Sequence, residues 1–168
     1  MNIRRLIPTD GVAYRQLMLE AYELYPDAFT SSVSERSALP VSWWQARLSD
    51  APEASELVIG AFQANILVGV AGLSFESRDK AKHKATLFGM YVPSEHRHQG
   101  VGRRLVLEAL TEAMRRRGTK LVQLTVTHGN VAAQSLYERC GFVQFGLEPF
   151  AVAVGDGLVS KVHMWCDL

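Results

Sequence analysis

A chain that passes from an apolar run through a glycine-bearing turn into a long helical pattern has few ways to fold there. Ala85 to Val92 reads ATLFGMYV, Val92 to Arg104 reads VPSEHRHQGVGRR, and Val101 to Arg117 reads VGRRLVLEALTEAMRRR. A strand, a turn and a helix N-terminus in that order make an anion site. The first N–H groups of a helix have no internal partner and point at whatever lies beyond them. Gly100 and Gly102 carry no Cβ, so the main chain there can approach a phosphate closely. Arg97, His98, Arg103 and Arg104 bring positive charge to the same place.

Two phosphate loops fail against these residues. A Walker loop needs GxxxxGK followed by Ser or Thr, whereas Gly102 is followed by Arg103 and Arg104. The dinucleotide fingerprint needs a third glycine at the position held by Leu105. The residues that remain, Arg97-His98-Gln99-Gly100-Val101-Gly102, resemble the R/Q-x-x-G-x-G/A loop of the GCN5-related N-acetyltransferase (GNAT) superfamily. Downstream, Asn130, Ala133, Leu136, Tyr137, Gly141 and Phe142 follow the order N-x-x-A-x-x-L-Y-x-x-x-G-F, which looks like the second signature of that superfamily. The resemblance is strong from Ala85 to Phe142 and rests on pattern alone elsewhere.

Length predicts one domain over residues 1–168, long enough to bury a full core. The net charge of +1 gives no general attraction to nucleic acid or to a membrane, and no apolar run reaches membrane-spanning length. Arg115-Arg116-Arg117 complements the C-terminal dipole of the long helix, and Gly118 stops it. Nothing marks Cys140 and Cys166 as a disulfide, and Met1-Asn2-Ile3 runs straight into a strand-like segment with no leader, so a cytoplasmic setting is expected.

Along the chain, Ile3 to Ile7 reads as a strand, and Thr9 and Asp10 offer an N-cap for a helix to about Tyr25. Pro26 to Pro40 reads as a loop holding one helical turn, and Ser42 to Ser49 as a second helix. Leu57 to Gln63 and Ile66 to Glu76 form a hairpin around Ala64-Asn65. After the motif strand and long helix come a strand, Leu121 to Thr127, and a short helix, Val131 to Cys140, with Asn130 as N-cap and Gly141 at its end. Phe142 to Val154 and Leu158 to Leu168 close the chain around Gly155-Asp156-Gly157. The order βααβββαβαββ predicts an α/β (α+β) architecture, a central mixed β-sheet flanked by helices, and it fits the acyl-CoA N-acyltransferase (GNAT) fold independently of the motifs.

The resemblance implies an acetyl-CoA-dependent N-acetyltransferase that moves an acetyl group to a primary amine by direct attack, with acetyl-CoA as co-substrate and no metal. It assigns the loop Arg97, His98, Gln99, Gly100, Val101, Gly102 and Arg103 to the pyrophosphate. Met90, Tyr91 and Val92 would pair with the pantetheine arm where two parallel strands splay, and Asn130 would orient that arm. A bulge at Gly89 is consistent with the splay. An N–H from Met90 to Val92 would stabilise the oxyanion. Tyr137 would donate to the leaving thiolate, and a packed aromatic is its alternative role.

The attacking amine must be neutral. A lysine-like amine near pKa 10.4 costs about 4.6 kcal/mol to neutralise at pH 7, and an α-amine near 8 costs about 1.4 kcal/mol. Candidate bases are Glu35, Glu76 and His128, or water alone, while Glu35 and Glu20 could instead bind a cationic substrate. Trp43, Trp44, Phe29 and Tyr22 are candidates for a pocket wall as well as for the core. His96-x-His98 lacks the CxxC or HxxxH that zinc would need, and Gly72-Leu73-Ser74-Phe75-Glu76 lacks the second glycine of a hydrolase elbow. The expected acceptor is a small-molecule amine. Acetylation of a protein N-terminus or lysine is the alternative, as is a non-catalytic CoA-binding regulatory module. A peptide amine is thus a further acceptor class, and a homodimer is compatible with the chain.

Overall fold

The computed structural model describes Met1–Leu168. Seven strands form one mixed sheet in the order β1-β2-β3-β4-β5-β7-β6. They are β1 Asn2–Arg5, β2 Glu56–Gln63, β3 Ile66–Phe75, β4 Lys84–Tyr91, β5 Leu121–Thr127, β6 Val143–Val154 and β7 Gly157–Asp167. Five helices accompany them: α1 Gly11–Leu24, α2 Val33–Ser37, α3 Val41–Ala46, α4 Val101–Arg115 and α5 Val131–Glu138. This is the mixed sheet with flanking helices that the element pattern predicts. No helix is long and apolar enough to cross a membrane.

Each face of the sheet has its own core. On one side the apolar stripe of α4, Val101, Leu105, Val106, Ala109, Leu110 and Ala113, packs with α5 in a cluster of 24 buried residues. On the other, Tyr14, Leu17, Met18 and Ala21 of α1 meet Trp44 and Leu48 in a cluster of 11. Side chains of consecutive strand residues point to opposite faces, so β2 and β3, apolar almost throughout, feed both cores at once.

The N-terminal boundary differs from the expected one. β1 ends at Arg5 because Pro8 opens a 3-10 turn, Pro8–Asp10, although the Leu6 N–H still reaches the Val58 carbonyl at 2.7 Å. Asp10 does not cap α1 with its side chain. Its carboxylate accepts from the Arg4 guanidinium at 2.7 and 2.9 Å and from the Ile7 N–H at 2.9 Å. A bidentate charged donor outcompetes a helix amide for the same oxygens. The helical turn expected in the Pro26 to Pro40 loop is α2, held by a capping box in which Ser32 and Glu35 exchange side-chain and backbone bonds.

The hairpin turns at Ala64-Asn65, with φ of 45° and 66°, the left-handed pair of a type I′ turn. β4 runs parallel to β5 for only three aligned pairs, from Lys84 opposite Leu121 to Thr86 opposite Gln123, and then the strands part. Against β3, Val70 faces Tyr91 and Gly72 faces Phe88, so β4 carries one extra residue. Gly89, at φ 56°, lies inside that bulge, and the bend it makes turns β4 away from β5.

Candidate active site

The parted strands open into a cleft of about 300 Å³. Thr86, Phe88, Gly89 and Met90 line it from β4, and Thr125 and Thr127 from β5. Asn130 and Tyr137 close one end. Tyr14, Tyr22, Phe29, Trp43 and Trp44 wall the other, so all four aromatics singled out in the sequence reach it. Trp44 is also core, with its ring edge-on to Tyr14 at 5.5 Å.

Tyr137 is buried at the end of α5, and its hydroxyl donates to the Met90 Sδ at 3.4 Å. Burial pushes its phenol well above the usual range, so it holds its proton at any physiological pH. Asn130 caps α5, its Oδ1 accepting the Ala133 N–H at 3.2 Å. That bond leaves the amide N–H₂ uncommitted beside the cleft.

The glycine loop lies outside the cleft, at the N-terminus of α4. The first backbone bond of the helix runs from the Arg104 N–H to the Gly100 carbonyl at 3.1 Å, and no amide from His98 to Arg103 donates to a protein acceptor. Gly100 has φ 78°, and a Cβ there would meet nothing within 4 Å. Gly102 has a different reason for being bare. A Cβ on it would come within 3.0 Å of Met90 Cε and 3.1 Å of Leu136 Cδ2. Gly102 thus seats the helix against the bulge rather than opening space for a ligand.

The charged loop residues divide. Arg103 and Arg104 are exposed on the first turn of α4. Arg97 turns inward, with its Nε donating to the Val92 carbonyl at 2.9 Å and its guanidinium 4.7 Å over the Tyr25 ring. His98 is exposed at φ 60°, and the Gln99 side chain spans from the Glu95 carbonyl to the Gln63 side chain. Tyr91 points to the α1 side, where its hydroxyl donates to Glu20 at 2.7 Å, and Val92 belongs to the α4 core.

None of the candidate bases lines the cleft. Glu35 is exposed and committed to capping α2, its carboxyl held low by the Ser32 N–H and hydroxyl. Glu76 pairs with Arg78 at 3.0 Å, and His128 is exposed beyond β5. Glu20, held by Tyr91, is likewise absent from the lining. The cations that do line the cleft, Arg36, Arg47 and Lys161, were not among the sequence candidates. The signal for two of them was the placement of Arg36 and Arg47 on either side of Trp43-Trp44.

Lys161 acts as a latch. Its Nζ donates to the Asp27 carbonyl at 3.1 Å, the Ala28 carbonyl at 3.3 Å and the Thr127 hydroxyl at 2.7 Å, and the Thr127 hydroxyl itself donates to the Asp27 carbonyl at 2.6 Å. Burial pulls the amine below its ordinary pKa, with Asp27 opposing weakly. All three ammonium hydrogens are spent on oxygens, so Lys161 ties the loop after α1 to β5 and β7 and has no hydrogen to spare for chemistry.

Both cysteines are free thiols buried in the α4 core. No group of three or more His, Cys, Asp or Glu side chains is arranged to hold a metal ion.

Four similarities bear on these features. The chain is 42% identical over 81 residues to the [ribosomal protein bS18]-alanine N-acetyltransferase of Escherichia coli strain K12, covering 48% of this chain and 54% of that enzyme. The match thus spans about half the length of that curated relative. In fold, the crystal structure of a GNAT-family acetyltransferase from Streptococcus pneumoniae superposes with a TM-score of 0.85 at 22% identity, covering 99% of each chain. The structure of yncA from Salmonella typhimurium, solved with its cofactor acetyl-CoA, gives 0.82 at 21% identity, covering 100% of this chain and 94% of that one. The sequence model described as the acetyltransferase (GNAT) family matches residues 18–142, which hold the bulged strand, the glycine loop, Asn130 and Tyr137. On that match, carried across both motifs and the splayed sheet, the chain belongs to the GNAT family of acetyltransferases.

Proposed function

We propose that the protein transfers an acetyl group from acetyl-CoA to the primary amine of a small acceptor. The observation that carries this reading is the splay of β4 from β5 beside the unpartnered amides of α4, with Tyr137 at the junction. Acetyl-CoA fits these residues. The amides from His98 to Arg103, with the side chains of Arg103 and Arg104, would receive its pyrophosphate. Arg97, His98 and Gln99 hold the loop in shape, Gly100 leaves the approach open, and Val101 and Gly102 start the helix. The bulged segment Met90, Tyr91 and Val92 offers its main chain to the pantetheine arm, with Asn130 opposite.

Bound there, acetyl-CoA supplies an activated acyl group on a good leaving thiol. The neutral amine forms a bond to the acyl carbon and the C–S bond breaks. The thiolate takes a proton from the Tyr137 hydroxyl, which solvent restores, and the nitrogen loses one to water. Tyr137 suits the donor's part because burial keeps its proton in place. With no carboxylate or imidazole lining the cleft, the amine must arrive neutral or lose its proton to water. That condition favours an α-amine over a lysine side chain, by about 3 kcal/mol from their reference pKa values. It also keeps a protein N-terminus in view as the second reading, since the E. coli relative is named for a ribosomal-protein alanine.

Free, buried thiols support a reducing, cytoplasmic setting. A homodimer is supported by the sheet edge, where β6 exposes Phe145, Leu147 and Phe150. Thiol release from acetyl-CoA across a panel of amines, with mass detection of the acetylated product, tests the activity. Binding of acetyl-CoA with no thiol release to any amine would instead identify a CoA-binding regulatory module.

A further inference from the structure

The acceptor end of the cleft is unusual in its charges. Arg36, Arg47 and Lys161 are the cations that line the cleft, and no Asp, Glu or His lines it; Arg36 and Arg47 lie on Trp43, and Lys161 lies by Thr127. The three cations are not equally committed. Lys161 spends its hydrogens on the latch, and Arg47 pairs with Glu56 at 3.1 Å. Arg36 has no carboxylate partner. Its one polar contact is the Ser31 hydroxyl at 2.7 Å, leaving most of its five donors uncommitted. Its guanidinium lies 4.7 Å from the Trp43 ring centre, and that of Arg47 lies 4.8 Å from the same centre. Arg47 also sits 5.3 Å over Phe88, the β4 residue two before Met90. Trp44 adds a buried Nε1–H with no acceptor. Donors therefore outnumber acceptors at this end, and aromatic rings hold the two guanidiniums in place.

We propose that this end of the cleft is a carboxylate subsite, in which Arg36 and Arg47 bind the carboxylate of an apolar or aromatic α-amino acid whose amine faces Met90 and Tyr137. The proposal rests on the acetyltransferase reading for the fate of the amine, and on the lining of the cleft for the carboxylate. A guanidinium fork matches a carboxylate in shape as well as charge. Tyr14, Tyr22, Phe29 and Trp43 form an apolar wall for a side chain, in a cleft of about 300 Å³ that a small acceptor would share with the acyl end of the donor. The same cations repel an acceptor carrying a second ammonium, so diamines and polyamines are disfavoured. By pairing with the ligand's carboxylate they also offset its hold on the neighbouring ammonium proton, which helps a site that offers no carboxylate or imidazole base.

The test is a tryptophan-fluorescence titration of the protein–CoA complex, with Trp43 as the reporter. The probes are L-phenylalanine, L-leucine and L-methionine, their carboxamides, and spermidine. Each acid should bind about tenfold or more tighter than its amide, the scale of one charge-assisted pair. Arg36→Gln should erase that ratio and Arg36→Lys should restore part of it. Equal binding of acids and amides, tighter binding of spermidine, no binding of any acid, or an unchanged ratio in Arg36→Gln would each overturn the subsite. Thiol release measured in parallel separates the two readings. Preferential binding of the acids, with no thiol release from acetyl-CoA to any amine of the full panel, defeats the acetyltransferase reading and supports the subsite. Turnover of amides, or of a peptide N-terminus with no nearby carboxylate, as efficient as that of the acids defeats the subsite alone.

Discussion

The Tyr137 hydroxyl donates to the Met90 sulfur at 3.4 Å, which joins α5 to the bulge of β4 across the mouth of the cleft. A thioether is a weak acceptor, so this bond is easily given up for a better one. Tyr137→Phe keeps the ring and its edge contact with Phe142, 5.8 Å away, and removes the donor alone. Stability and acetyl-CoA affinity should hold while kcat falls, by about 10²-fold, the lower end of the range for general acid help, because a thiolate leaves readily. Because the buried phenol titrates above its ordinary value, no alkaline limb from this residue should appear below about pH 10. Full kcat in the variant, with chemistry shown to limit the rate, would reduce Tyr137 to packing.

Gly100 and Gly102 should fail in different ways. At Gly100 a side chain enters open space but must accept a left-handed backbone, a cost of about 1–2 kcal/mol. Gly100→Val should therefore stay folded and lose acetyl-CoA affinity, by about tenfold or more if the approach of the pyrophosphate is blocked. Gly102→Leu drives into Met90 and Leu136, so it should lower Tm and kcat together. Calorimetry beside thermal melts distinguishes these patterns, and unchanged affinity in folded Gly100→Val would remove the loop from the site.

The latch predicts a split between the two substrates. Lys161→Met removes three hydrogen bonds but also a buried cation, so the net change in stability should be small, about 1 kcal/mol in either direction. The loop around Asp27 and Ala28 would lose its tie to β7, and KM for the acceptor should rise while acetyl-CoA affinity does not move. Steady-state kinetics with each substrate varied in turn reads both.

Arg4 and Asp10 give a pH-dependent contribution to stability. The Arg4 guanidinium, with help from the Ile7 N–H, holds the Asp10 carboxyl below its usual value. A depressed carboxyl stabilises the fold above its unfolded pKa of about 3.9, and that contribution is lost as pH falls through the lower folded value. The pair is partly exposed, so Asp10→Asn should cost about 1 kcal/mol at neutral pH. Urea titrations should show wild type and variant converging in acid. A gap that stays constant down to strongly acidic pH would mean that Asp10 acts by packing or polarity and not by charge.

What could be read in advance followed from local rules. The Ala64-Asn65 turn and the Asn130 cap each depend on a few neighbouring residues, and each appears where the pattern put it, whereas α4 stops at Arg115, with Arg116 already extended, short of the Gly118 expected to end it. The glycine loop and Tyr137 were legible because their spacing is fixed along the chain. The cations of the acceptor end were not. Arg36 comes from a five-residue helix, Arg47 from just beyond α3 and Lys161 from β7, and only the folded sheet brings them to one cleft. Asp10 misled for a related reason, since its competing partner, Arg4, lies in the preceding strand. Glu35 looked free to act on a substrate, yet the capping box from Ser32 to Glu35 had already claimed it.

On the proposed function, the two cores on opposite faces of the sheet would back different reactants. The larger supports α4 and α5, while the smaller supports α1 and α3 and with them the wall of Tyr14, Tyr22, Trp43 and Trp44, and takes Tyr91 from the bulged segment as well. Substitutions on the helices of one layer leave the helices of the other untouched, although β2 and β3 carry side chains into both. A lineage built on this plan can exchange its acceptor wall piecemeal while the donor machinery stays in register.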